Sequence, residues 1–241
     1  ETKLLKQLIN ETAFAASVQQ TRPIFTGVHF VLSHTKELKT VATDSHRMSQ
    51  KVITLEKNGD NFDVVIPSRS LREFTSVFSD DIETVEVFFA NNQILFRSEH
   101  ISFYTRLLEG NYPDTDRLIP TEFNTEATFN VANLRFAMER ARLLSNATQN
   151  GTVKLEFKNG VVSSHVHSPE VGRVNEEIDT SAVSGEDLSI SFNPTYLIEA
   201  LKAIDSEQVV IRFISSVRPF TLVPEGNEQG FIQLITPVRT N

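Results

Sequence analysis

Two short stretches of the chain carry acid, base or metal-binding side chains two residues apart. Asp44 and His46 form one pair, and His165 and His167 form the other. Residues two apart on a strand share a face, so a pair could reach one metal ion. Nearby residues supply no evident third ligand, no nucleophile motif and no glycine-rich phosphate loop. We therefore expect no catalytic residues, no metal site, no cofactor and no enzyme. Metal-dependent catalysis at the histidine pair stays open as the alternative.

The charge of the chain limits how it could meet nucleic acid. Its 241 residues carry a formal net charge of −8. A protein that binds DNA through surface contacts needs basic residues to neutralise phosphates, so this charge argues against a conventional DNA-binding protein. A protein that encloses DNA needs only a locally basic lining, and its negative exterior would limit non-specific adhesion. Taken alone, the charge fits a soluble cytosolic protein.

Composition points to a reducing compartment and to phenylalanine-rich cores. The chain has no Cys, which excludes disulfides and thiolate metal sites and favours a cytoplasmic location. No apolar run reaches the roughly 20 residues that span a bilayer, and no secretory signal is visible, so no membrane partner is expected. With 18 Phe and no Trp, the cores should rely on Phe together with Leu, Ile and Val.

The elements that would position these residues read as one unit repeated twice. Apolar residues at three- and four-residue spacing predict an amphipathic helix at the start of each unit, over residues 4–16 and 131–144. A second helix is predicted later in each unit, over residues 70–78 and 196–204. Each unit should therefore run helix, strands, helix, strands.

Short local signals mark where these elements begin and turn. Asn130 and Asn193 are predicted N-caps, and Pro194 suits the first helical position. The dipeptide at 159–160, Asn-Gly between two apolar runs, predicts a hairpin turn. The polar stretch 145–151 is predicted to be a loop.

Runs of alternating apolar and polar residues predict half-buried antiparallel strands between the helices. The predicted strands cover residues 28–32, 38–42, 51–55, 64–66, 85–89, 104–108, 153–157, 161–166, 190–192, 209–213 and 231–235. A polar, proline-containing joint near residues 120–124 should divide a domain 1–121 from a domain 122–241. The predicted fold class is α+β, with two helices packed on antiparallel sheets in each domain.

Three collinear motifs resemble a known family. Residues 42–48, Ala-Thr-Asp-Ser-His-Arg-Met, look like the ATDGHRL signature of that family, with Ser and Met in place of Gly and Leu. Residues 108–114, Leu-Glu-Gly-Asn-Tyr-Pro-Asp, look like its EGxFPD stretch, and residues 234–241 are similar to its C-terminal PxR tail. The family is the bacterial DNA polymerase III beta subunit, the beta sliding clamp, and the variants look Gram-positive and streptococcal-like.

The resemblance implies tandem DNA-clamp domains that form part of a ring. Family members carry three such domains and close as a head-to-tail homodimer around duplex DNA. The two domains of this chain look like the middle and C-terminal domains, so the resemblance implies that it lacks the family's first domain. We expect that this two-domain chain does not close the ring by itself.

The resemblance also implies a groove for short linear peptides, built between the middle domain and the C-terminal tail. Through such Gln/Leu/Phe motifs the family tethers the replicative polymerase, other DNA polymerases, the clamp loader and repair proteins. An apolar groove with a few orienting polar groups suits such peptides. The residues carried over are Phe25, Thr43, Ser45, His46, Arg47, Met48, Pro113, Arg117, Leu118, Leu234, Thr236, Pro237, Val238 and Arg239.

A helix-lined face is expected to meet DNA through phosphates and water, without sequence preference. The loop that includes Gln19 and Gln20 is similar to a DNA-facing loop of the family. The full set of candidates is Lys3, Lys6, Gln19, Gln20, Arg22, Arg69, Arg72, Arg135, Arg142 and Lys202. A third interpretation, a β-rich module with a small-molecule pocket and no DNA role, explains the strands but neither the repeated helices nor the three motifs.

Overall fold

The computed structural model describes residues 1–34, 36–56, 59–145, 151–168, 172–226 and 230–239. The chain divides into two compact units, Glu1–Thr115 and Asp116–Asn241. The joint expected from the sequence, between residues 121 and 122, lies a few residues further on, after the 3-10 helix Asp116–Leu118. Most of the loop predicted at 145–151, and the last two residues of the C-terminal motif, fall outside the described residues.

The first unit consists of helices and antiparallel strands in the predicted order. One sheet has the strand order β3-β2-β1-β4, and a three-stranded sheet has the order β5-β6-β7. Its described elements are α1 (Thr2–Thr12), β1 (Gly27–Leu32), β2 (Glu37–Thr43), β3 (Arg47–Thr54), β4 (Phe62–Pro67), α2 (Ser68–Val77), β5 (Glu86–Ala90), β6 (Gln93–Arg97) and β7 (Ser102–Arg106).

The second unit repeats the plan with further strands. Its sheets have the strand orders β12-β8-β14-β15-β16 and β11-β10-β9-β13, all antiparallel. Its described elements are β8 (Thr125–Asn130), α3 (Val131–Ser145), β9 (Val153–Lys158), β10 (Val161–Ser168), β11 (Gly172–Ile178), β12 (Ala182–Gly185), β13 (Leu188–Phe192), α4 (Pro194–Lys202), β14 (Gln208–Phe213), β15 (Phe220–Pro224) and β16 (Phe231–Ile235).

Phenylalanine rings fill the core of each unit, as the composition predicted. In the first unit Phe74 stacks on Phe78 at 4.4 Å between ring centroids and lies 4.8 Å from Phe96. In the second unit Phe213 contacts both Phe157 and Phe220 at about 5 Å. Offset or tilted ring pairs at these distances add to the stabilisation from burial. In the first unit they join α2 to β6, and in the second unit they join strands β9, β14 and β15.

The predicted capping and turn signals of the second unit are confirmed. The Asn130 side chain accepts a hydrogen bond from the Asn133 amide at 3.0 Å, and the Asn193 side chain accepts one from Thr195 at 2.9 Å. Each bond satisfies an amide that the first helical turn leaves without a partner. Asn159 has φ +51° in the hairpin between β9 and β10, as an Asn-Gly turn of the primed type requires.

Candidate peptide-binding and DNA-facing residues

A short turn between β2 and β3 holds the first group of candidate peptide-binding residues. The Thr43 hydroxyl donates to the Arg47 carbonyl at 2.6 Å and accepts from the Ser45 amide at 3.1 Å. The Asp44 carboxylate accepts from the amides of His46 and Arg47 at 2.9 and 3.0 Å. Asp and Thr side chains commonly close turns in this way. The turn is therefore fixed by its own side chains.

Arg47 anchors the turn to the rest of the first unit. Its Nε donates to an Asp44 carboxylate oxygen at 2.9 Å, and its Nη2 donates to the Phe14 carbonyl at 2.9 Å. The guanidinium also lies 5.5 Å from the centre of the Phe14 ring, within cation–π range. Both side chains of the ion pair are mostly buried. Arg47 is thus bonded within its own unit, whereas Ser45 and His46 point into solvent.

Ser45 occupies a backbone conformation that favours glycine. Its φ is +77°, in the left-handed region where a Cβ atom is strained. This is the position at which the family signature has Gly. The substitution therefore keeps the shape of the turn at a conformational cost and adds a hydroxymethyl group to its exposed surface.

Tyr112 ties other candidate residues of the first unit to the turn. Its hydroxyl accepts a hydrogen bond from the Thr43 amide at 3.1 Å. Its ring is stacked on His29 at 4.7 Å and meets the edge of Phe25 at 6.0 Å. Burial, ahead of the charge of Asp44, raises the pKa of Tyr112, and the bond from Thr43 opposes this shift. The Tyr112 phenol therefore stays protonated to a higher pH than that of an exposed tyrosine.

Two further candidates of the first unit differ sharply in exposure. Met48, on β3, is only 1% exposed. Pro113, directly after Tyr112, is exposed. A side chain as buried as Met48 has the character of a core residue, so its assignment to the groove wall stays a prediction.

The candidates of the second unit include both exposed and buried residues. Leu118, in the 3-10 helix Asp116–Leu118 that also contains Arg117, is 52% exposed. Leu234 is buried in β16. Leu118 is therefore an apolar residue that solvent reaches.

The C-terminal tail follows β16 without regular structure. Thr236 and Pro237 are half-buried, and Val238 and Arg239 are exposed. The Val238 amide donates to the Ser191 carbonyl of β13 at 2.7 Å. The tail thus presents the apolar side chains of Pro237 and Val238 and the cation of Arg239 close to this backbone bond.

The DNA-facing candidates of the first unit include one cluster. Gln20, Arg69 and Arg72 line the same hollow, of about 690 Å³, beside the start of α2. Arg69 also pairs with Glu73 at 3.2 Å, and Arg72 donates to the Ala13 carbonyl at 2.9 Å. The cluster therefore combines exposed cations with bonds that orient them.

The other first-unit candidates lie on α1 and in the loop that follows it. Lys3 is exposed on α1, and Lys6 forms an ion pair with Asp80 at 2.5 Å. Hydrogen bonding and the charge of Lys6 lower the pKa of Asp80. Gln19 is exposed, and the exposed Arg22 lies 5.9 Å from the Phe25 ring. Lys6 would have to leave Asp80 before it could meet a phosphate.

The second unit carries three candidates on its helices. Arg135 and Arg142 stand seven residues apart on α3, close to two helical turns, and so lie on one face. Arg135 also approaches Glu139 at 4.0 Å and the Phe136 ring at 5.1 Å. Lys202 is exposed in the last turn of α4. Whether any of these residues meets DNA stays a prediction.

The two histidines of the rival metal hypothesis lie on β10. The His165 ring is bonded to Ser163 and Asn175, each at 2.8 Å, and approaches Glu156 at 3.5 Å. His167 is exposed on the same face of the strand. Among the described residues, no group of three or more His, Asp or Glu side chains is arranged to hold a metal ion.

Family models match almost the whole chain. The model described as DNA polymerase III beta subunit, C-terminal domain, matches residues 116–239, and the model of the central domain matches residues 1–114. The chain belongs to the DNA polymerase III beta subunit family. The resemblance drawn from the three motifs is confirmed, and so is the prediction of middle and C-terminal domains.

Curated relatives of this beta subunit family agree. The beta sliding clamp of Streptococcus pneumoniae is 80% identical over all 241 residues, and that of Lactococcus lactis is 55% identical. The chain spans 64% of the length of both relatives. These relatives bear out the predicted Gram-positive, streptococcal-like character.

Solved structures of the family share the fold. The DNA polymerase III beta chain of S. pneumoniae has a TM-score of 0.98 and covers all of this chain, which spans 64% of it. The sliding clamp of Bacillus subtilis, at 39% identity, has a TM-score of 0.94, with all of this chain and 63% of that one covered. The predicted α+β clamp-domain fold is confirmed. In the part of the chain that the structure describes, no helix is long and apolar enough to cross a membrane.

Sequence reasoning missed the residues that support the turn between β2 and β3. Asp44 was considered as an acid, a base or a metal-binding group, yet its carboxylate organises the turn. Tyr112 was part of a motif but received no role, and Phe14 was read only as part of an amphipathic helix. An Asp between two predicted strands is a detectable turn signal, because its carboxylate can accept hydrogen bonds from amides two and three residues later. The 69-residue separation of Tyr112 from Thr43 leaves no local signal.

Proposed function

We propose that this chain is part of a sliding clamp subunit, a processivity factor that encircles duplex DNA and catalyses no reaction itself. The observation that carries the proposal is the pair of family matches over residues 1–114 and 116–239. The chain would act as the central and C-terminal domains of a longer subunit. A replicative role also supports a location in the bacterial cytoplasm.

The proposed peptide site uses residues of the 43–47 turn, Met48 beside it, and residues of the C-terminal tail. A partner segment with a Gln followed by Leu and Phe needs apolar surface and a few orienting polar groups. Leu118, Pro237 and Val238 offer apolar surface that solvent reaches at least in part, and Arg239 offers an exposed cation. Anchoring by Leu and Phe should dominate the affinity. We expect a micromolar Kd, about −8 kcal/mol, which permits exchange of partners.

The proposed DNA contact relies on enclosure. The net charge of −8 disfavours adhesion to phosphates over the whole surface. Exposed residues such as Lys3, Gln20, Arg69 and Lys202 supply scattered contacts that hold DNA loosely and without sequence preference. Loose contacts of this kind suit a subunit that slides.

The peptide site is tested by a binding isotherm on the whole chain. The ligand is a synthetic peptide that carries Gln, Leu and Phe, and a scrambled peptide of the same composition is the control. We expect micromolar binding to the intact chain and loss of binding when residues 236–241 are removed. Equal binding to the intact and shortened chains would overturn the assignment of the tail and favour a β-rich module with a separate ligand pocket.

The enclosure of DNA is tested by retention on circular plasmids. We expect that this two-domain chain washes off both closed circular and linearised DNA at moderate salt. A chain extended by the first domain of the family should stay on circles and leave after linearisation. Retention of the two-domain chain on circles would contradict the ring proposal.

A further inference from the structure

Tyr112 holds the point at which β2 ends and the 43–47 turn begins. Thr43 is the last residue of β2, and its amide donates to the Tyr112 hydroxyl at 3.1 Å. The Thr43 hydroxyl in turn bonds both the Arg47 carbonyl and the Ser45 amide. One phenol hydroxyl therefore fixes the residue whose own side chain closes the turn.

The Tyr112 ring is itself held in place from two directions. His29 stacks on it with an interplanar angle of 27°, and Phe25 meets it nearly at right angles. The His29 ring bonds the Asp63 carboxylate at 2.6 Å, so β1 and β4 together orient the stacking partner. Such packing leaves the ring little freedom to move the hydroxyl away from Thr43.

We infer that Tyr112 is a positioning residue for the proposed peptide site, an inference that rests on the proposed function. Phe25 is one of the predicted wall residues, and its ring lies against Tyr112, whose hydroxyl holds the 43–47 turn. A partner side chain that packs on Phe25 thus meets a ring already connected to the turn. The connection presents Ser45 and His46 in one orientation before the peptide arrives, which lowers the ordering cost of binding.

The test removes the hydroxyl and keeps the ring. Tyr112→Phe should retain the contacts with His29 and Phe25 and leave the Thr43 amide without its acceptor. Peptide binding is measured by isotherm with the synthetic peptide that carries Gln, Leu and Phe. We expect Kd to rise about fivefold, the equivalent of one net hydrogen bond. Amide exchange at Thr43, measured without peptide, should become at least several-fold faster.

Tyr104→Phe is the matched control. Tyr104 lies on β7 of the same unit and is 72% exposed, so the identical chemical change removes a solvent-exposed hydroxyl. We expect its Kd and Thr43 exchange to stay within about twofold of wild type, the range expected for an exposed site.

Two outcomes separate this inference from the proposal on which it rests. A purely structural role would lower the melting temperature of Tyr112→Phe and leave the Kd of the folded chain unchanged, which would overturn the inference alone. Absence of peptide binding by the wild-type chain would overturn the proposed peptide site itself. A raised Kd together with faster Thr43 exchange supports the positioning role.

Discussion

The 43–47 turn and the tail of residues 236–239 carry the two parts of the proposed peptide site, and they are held very differently. The turn is closed by the Thr43 hydroxyl and the Asp44 carboxylate, and Arg47 and Tyr112 anchor it to its unit. In the tail, the Val238 amide donates to the Ser191 carbonyl. The turn is therefore preorganised for binding. The tail contributes side chains on which the stability of the fold depends less.

This difference predicts how substitutions divide between stability and binding. Changes at Thr43, Asp44 or Arg47 should destabilise the fold and weaken peptide binding together, because each of these side chains bonds backbone groups. Changes in the tail should weaken peptide binding and leave the free energy of unfolding almost unchanged. Unfolding and peptide binding measured on the same variants test this division.

The largest contrast is expected between Met48→Ala and Val238→Ala. Met48 is 1% exposed beside the turn, so its truncation should lower the free energy of unfolding by about 3 kcal/mol. Val238 is 37% exposed in the tail, and its truncation should lower it by less than about 0.5 kcal/mol. Urea denaturation measures both values. Similar losses for the two variants would remove the stability contrast between the start of β3, beside the turn, and the tail.

The second prediction concerns the carboxylate at the centre of the turn. Asp44→Ala removes the acceptor of two amides and the partner of a mostly buried guanidinium, so we expect a loss of about 2–3 kcal/mol in unfolding free energy. Peptide affinity should fall in parallel. The control Asp60→Ala removes an exposed carboxylate from the same unit and should change both quantities little. A stable Asp44→Ala with wild-type affinity would mean that the turn is held by other contacts.

The third prediction uses pH to isolate Tyr112. Because burial raises its pKa, the folded chain keeps the phenol protonated after the unfolded chain has ionised. The contribution of Tyr112 to stability is therefore complete below about pH 10 and falls as pH rises above that value.

The measurement compares wild type with Tyr112→Phe by urea denaturation at about pH 9 and about pH 11. The stability difference between them should shift against the wild type by up to about 1.4 kcal/mol per pH unit. Tyr104→Phe controls for general effects of alkali, and removal of residues 236–241 should leave the shift in place. A constant difference across this range would show that the phenol is not protected in the fold.

The sequence predicted the repeated plan because its signals are local. Helical spacing, alternating strands, the Asn130 and Asn193 caps and the Asn-Gly hairpin each depend on neighbouring residues, and each is present in the structure. Strands β6, β8, β11, β12 and β15 were not specified. In β15 the run Phe-Thr-Leu-Val-Pro is buried at every position, so it lacks the alternation that marks a half-buried strand.

The candidate site was predictable only as a set of positions. The motif resemblance identified which positions belong to the site. It could not predict the hydrogen bonds of Arg47 with Phe14 and of Tyr112 with Thr43, because these residues are far apart in the chain. Such contacts depend on how the strands and helices pack, and no short pattern encodes them. Exposure was equally hidden: Met48 and Leu118 were both assigned to an apolar wall, yet one is buried and the other is half exposed.

The smallest expected effect comes from the backbone of the turn itself. Ser45→Gly places glycine at φ +77°, which removes a backbone strain of about 1–2 kcal/mol. The extra freedom of glycine in the unfolded chain lowers stability by about 0.5–1 kcal/mol and so offsets part of this gain. We therefore expect a net gain of about 0.5 kcal/mol in unfolding free energy, seen as a higher urea midpoint. Ser181→Gly, at an exposed serine whose φ is not positive, should instead lose stability. If both variants lose stability equally, the left-handed position is not strained and the turn owes its shape to its side chains alone.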